Sequence, residues 1–86
     1  MSCYNIMGVS ISNRLKKAVN VQEVLTEHGC SIKMRLGLHE TGDLCSQEGL
    51  LILQVCGEEE EIKAVEKDLN NIEGVTAKTM MISTDE

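Results

Sequence analysis

One run of nine residues limits the fold more than any other: Gly49–Gly57, reading GLLILQVCG. It is short, apolar and closed by glycine at each end, so it reads as a buried strand rather than a helix. Strand side chains alternate between two faces. Leu51, Leu53 and Val55 share one face, while Leu50, Ile52, Gln54 and Cys56 share the other. Both faces are largely apolar and both need cover. A chain of 86 residues can spare two helices for one of them. The second face therefore calls for another molecule, most simply a second copy of the chain.

The rest of the sequence supplies the partners of that strand. Tyr4 to Ile11 alternates as a first strand, with Met7, Val9 and Ile11 on one face and Tyr4, Ile6, Gly8 and Ser10 on the other. Glycine weakens a strand interior, so Gly8 marks either a close approach by a backbone or ligand, or a simple bulge. Ser12 or Asn13 caps a helix that runs to about His28. Ala18, Val21, Leu25 and His28 fall on one face at helical spacing, flanked by Leu15 and Val24. Gly29 stands where a left-handed cap belongs. Cys30 to Thr41 reads as a second strand, with Ile32, Met34, Leu36 and Leu38 on a buried face opposite a polar one. Glu40 to Glu48 is a polar connection, expected to be mobile. After the Gly49–Gly57 strand, Glu58 to Asn71 forms a second helix buried along Ile62, Val65, Leu69 and Ile72. Its leading glutamates suit the positive end of a helix dipole better than they suggest a cation site. Val75 to Ile82 is the last strand. The order βαββαβ predicts one α+β domain over residues 1–86, a ferredoxin-like sandwich with a four-stranded antiparallel sheet and two helices on one face. The first and third strands, apolar on both faces, belong in its centre.

Charge narrows the partners. Eight basic residues face fourteen acidic ones, a net charge of −6. Phosphate backbones and anionic membranes need clustered Lys and Arg, so nucleic acid and membrane surfaces are disfavoured. No run approaches the ~20 apolar residues of a membrane span. With no signal peptide in view, the expected setting is cytoplasmic, and Cys3, Cys30, Cys45 and Cys56 are expected as free thiols.

Chemistry leaves fewer marks. The segment Ser10-Ile11-Ser12-Asn13 has no cysteine pair to carry a metal and no glycine to wrap a phosphate, so the chain is not read as an enzyme. Asn13 and Arg14 stand at a helix N-terminus, where an anion can bind. Gly8, Ser10, Ser12 and Asn13 are the candidate ligand contacts. His28, His39, Cys45 and Cys56, with Glu40 and Asp43, are the transition-metal donors at hand. His39 and Cys45 are the metal candidates kept from this set, although the spacing carries no motif. Tyr4, Ile6, Leu50, Ile52, Gln54 and Cys56 are the candidate interface of a homo-oligomer, a dimer or tetramer, with Gln54 expected to find a polar partner there.

Four segments taken together, Tyr4–Ile11, Glu27-His28-Gly29, Ile32–Gly37 and Ile72-Glu73-Gly74-Val75, resemble a family of small proteins described as iron-only hydrogenase system regulators. These are ACT-like domains related in fold to the C-terminal half of the nickel-responsive repressor. The resemblance spans about residues 4–82. It implies a regulatory role, assembly into oligomers, and a small-molecule effector or protein partner. It carries over no metal ligand, because the repressor's His-x-His strand motif is absent: Gly37 stands two residues before His39. No DNA-binding extension is read in the sequence, so regulation is expected to act through protein contacts or a sensed ligand. The expected function is a non-enzymatic, ligand-sensing regulatory module, with a transition-metal-responsive binding domain as the alternative.

Overall fold

The computed structural model describes residues 2–12, 14–38 and 49–82. Along the chain run β1 (Ser2–Ile11), α1 (Arg14–Glu27), β2 (Ile32–Leu38), β3 (Gly49–Gly57), α2 (Glu59–Asn70) and β4 (Val75–Met81). All strand pairs are antiparallel, in the order β2-β3-β1-β4. This is the α+β ferredoxin-like sandwich, with the two doubly apolar strands in the middle as their patterns require. No described helix is long and apolar enough to cross a membrane.

One side of the sheet packs on the helices. Met7, Val9 and Ile11 of β1, Leu53 and Val55 of β3, and Val75 and Ala77 of β4 meet Val21 and Leu25 of α1 and Ile62, Val65 and Leu69 of α2. Each such aliphatic side chain contributes about 1.5–3 kcal/mol when fully buried. The core is wholly aliphatic, as a chain whose single aromatic is Tyr4 requires. Asn5, also buried, donates from Nδ2 to the Val55 carbonyl at 2.9 Å.

Helix α2 begins at Glu58, whose backbone is extended and whose side chain makes no capping bond. Glu59, Glu60 and Glu61 fill its first turn, at the positive end of the helix dipole. At its far end the Asn70 amide donates to the Ala77 carbonyl at 3.0 Å and accepts from the Ala77 N–H at 2.8 Å. Gly74, at φ 85°, then turns the chain into β4.

Four expectations are corrected. Gly29 does not take a left-handed φ. The end of α1 tightens instead through short bonds, Gly29 N–H to Thr26 and Ser31 N–H to His28. Gly8 is not a bulge, because β1 keeps unbroken register from Asn5 to Ile11. In β2, a register shift between Ile32 and Met34 changes faces partway along the strand. Ile32 packs against the core, while Met34 and Leu36 are exposed on the opposite side. The expected single buried face of β2 is thus divided between the two sides of the sheet. Finally, Cys3 and Cys56 are not free thiols but a disulfide. A second register shift, between Ser2 and Asn5, brings Cys3 opposite Cys56 on the neighbouring strand. Cys30 is free and exposed. The connection Glu40–Glu48, with Cys45, lies outside the described residues.

Candidate functional site: the open face of the sheet

Among the described residues nothing covers the side of the sheet away from the helices, and its composition follows from the register. Leu36, Ile52, Gly8 and Lys78 form one row across β2, β3, β1 and β4. Met34, Gln54, Ile6 and Met80 form the next, and Leu50, Ser10 and Thr76 belong to a third. Exposure on this face runs from 43% for Leu50 through Met34, Leu36 and Tyr4 to 58% for Met80, with Ile6 and Ile52 half-buried. Large apolar side chains from every strand thus build one continuous patch, on the order of several hundred Å². Lys78 is the single charge among its described residues, although the chain carries fourteen carboxylates. Depletion of charge and enrichment in Met mark the cores of protein interfaces.

Gly8 sits near the centre of the patch. A Cβ built there meets nothing within 4 Å. No described residue presses on the glycine from outside, so its lack of a side chain leaves a dent between Ile6, Ile52 and Lys78.

The interface residues read from sequence divide into two groups. Tyr4, Ile6, Leu50 and Ile52 lie on the open face as expected. Gln54 also does, but its amide Nε2 already donates to the Cys3 carbonyl at 2.7 Å. That contact satisfies one of the amide's N–H groups within the chain and leaves its oxygen and second N–H for the expected partner across an interface. Cys56 is buried and bonded to Cys3, which removes its thiol from the metal donors. Met34, Leu36 and Met80 join this face without being among the residues read from sequence. The alternation Thr76, Lys78, Met80 in β4 carries a signal for the last of them. The register shift in β2 has none.

The candidate ligand contacts do not form one pocket. Gly8 and Ser10 lie on the open face, while Ser12 follows the end of β1. The Ser12 N–H donates to the Gly74 carbonyl at 2.8 Å and is not available to an anion at that turn. Asn13, His39 and Cys45 lie outside the described residues. His28 is held by Asp68 of α2, with Nε2 to Oδ2 at 2.8 Å, on the helix side of the molecule.

No family model matches the chain, and no curated protein matches it. Among solved structures, the chain is similar to the uncharacterized protein TM1266 from Thermotoga maritima, at 24% identity and a TM-score of 0.77. The match covers 88% of this chain and 91% of that one, and what it shows is the shared βαββαβ sandwich over nearly its whole length.

Proposed function

We propose that this protein is a non-enzymatic regulatory module that works as a homo-oligomer joined through the open faces of its sheets. The observation that carries the reading is the apolar, nearly charge-free patch contributed by all four strands. A face of this kind on an isolated chain leaves unfavourable apolar surface in water, and a two-fold sheet-on-sheet contact removes it from both copies together. The resemblance to regulators of the iron-only hydrogenase system supports a role in that system, exerted through protein contacts or a small effector. Gly8 and Ser10, near the centre of the face, favour an effector held at the boundary between subunits. The cytoplasmic setting belongs to the same reading.

Sedimentation of the wild type and of Ile52→Lys tests it. The wild type should sediment at a multiple of 9.5 kDa. In a lone chain the introduced ammonium reaches water, but in the assembly it is buried unpaired, at about 3–5 kcal/mol per copy. The variant should therefore run as a single folded chain. A wild-type mass of one chain at micromolar concentration refutes the assembly and the effector site between subunits.

A further inference from the structure

On the helix side, the end of α1 meets the last turns of α2. Glu27, His28 and Asp68 each offer one ligand atom there, and the three atoms lie within 4.8 Å of one another. The His28 side chain is 20% exposed and that of Asp68 41%, so the imidazole is held among packed neighbours while the carboxylates remain open to solvent. The last turn of α1 contains no Lys or Arg. Among the described residues the ion pairs are His28–Asp68 and Lys63–Glu59, so no Lys or Arg salt-bridges Glu27 or Asp68. The carbonyl end of α1 adds partial negative charge. Two carboxylates and a helix C-terminus thus face one imidazole, and the cluster stays electron-rich even when that imidazole is protonated.

We propose that Glu27, His28 and Asp68 bind one divalent transition-metal ion of the Zn²⁺ and Co²⁺ class. Imidazole nitrogen with carboxylate oxygen suits these ions, whereas Mg²⁺ and Ca²⁺ favour oxygen alone. Metal–ligand bonds of about 2.0–2.2 Å put neighbouring donor atoms roughly 3–4 Å apart. Nε2 and Oδ2, now hydrogen-bonded at 2.8 Å, need to separate by only about half an ångström. The long, exposed Glu27 side chain closes the third position. The remaining coordination positions face water. The ion would join the C-terminus of α1 to α2, so binding stabilises the folded chain by an amount that grows with the logarithm of free metal above the dissociation constant. The site lies on the side of the molecule opposite the open sheet face and does not depend on assembly.

Co²⁺ titration of the full chain, followed by visible absorption and thermal unfolding, tests the site. One Co²⁺ per chain should give d–d bands without the intense near-UV band of a cobalt–thiolate bond, and should raise Tm. Glu27→Gln and Asp68→Asn should each weaken binding at least tenfold. Glu27→Gln should leave the metal-free unfolding curve and the sedimentation coefficient unchanged, which separates ligand loss from misfolding and from any failure of the oligomer. Three results overturn the proposal: dissociation constants in the millimolar range, affinity indifferent to both substitutions, or a thiolate band that disappears in Cys45→Ser.

Discussion

Replacing Gly8 by alanine should move two properties of this protein in opposite directions. Gly8 takes no positive φ, so alanine fits its backbone, and the added Cβ meets no atom of the described residues within 4 Å. Removing glycine from a strand interior gains about 0.5–1 kcal/mol, chiefly by restricting the unfolded chain. For a chain of this size that corresponds to a rise of about 2–8 °C in Tm. In the proposed assembly the same methyl would fill a dent facing the second sheet. Overpacking costs about 1–3 kcal/mol per site. A two-fold contact holds two such sites, so the total is about 2–6 kcal/mol. That weakens association between about thirtyfold and more than ten-thousandfold. The two effects separate when Gly8→Ala is made in two backgrounds. In the monomeric Ile52→Lys chain, urea unfolding should show a higher midpoint with an unchanged slope. In the wild-type chain, sedimentation equilibrium should show a larger dissociation constant. A lowered midpoint in the monomer would falsify the reading of free space above Gly8. An unchanged dissociation constant would remove Gly8 from the interface.

Other outcomes follow from contacts elsewhere. Asn70→Ala strips both partners from the Ala77 backbone and should cost about 1–3 kcal/mol, with amide exchange at Ala77 accelerating more than at Leu53. Thiol reagents should modify Cys30 directly and reach Cys3 and Cys56 only after reduction; loop closure over a separation of 53 residues puts the stability lost on reduction at up to roughly 4 kcal/mol. A hydrogen bond from Lys63, and then its charge, hold the Glu59 carboxyl below its ordinary range. The stability this pair adds is therefore present above the unfolded carboxylate range and fades as pH falls through the folded value. Carboxyl carbon shifts should show Glu59 titrating at higher pH in Lys63→Gln.

Alternation and helical stripes made most of the architecture legible in the residues. Met7, Val9 and Ile11, or Ile62, Val65 and Leu69, bury where their period says they should. What stayed hidden depends on register. Nothing in Ile32-Lys33-Met34 announces that the pairing slips there, yet the slip moves Met34 and Leu36 to the open face. The Cys3–Cys56 bridge is hidden for the same reason. Cys3 and Cys56 stand 53 residues apart, and only the offset at Ser2–Asn5 brings them together. The cluster around His28 is a tertiary accident of two helix ends. Neither Glu27-His28 nor Asp68 carries spacing that predicts the other. Asn70 is similar: it reads as a helix terminator, and its contact with Ala77 appears only once α2 lies beside β4.

That contact makes the two rims of the sheet unequal. The Ala77 N–H and C=O, engaged by Asn70, point away from β1, and the Val75 N–H is held by the Ile72 carbonyl at 3.0 Å. The first half of the outer rim of β4, at Val75 and Ala77, is thus engaged by its own helix connection and offers less to an incoming strand. Among the described strands, β2 forms the other rim. Edge-wise pairing with another strand is hindered at the start of β4 by groups the chain already uses. Edge pairing is a common seed of polymerisation, and here a single asparagine amide keeps the Ala77 N–H and C=O from taking part in it.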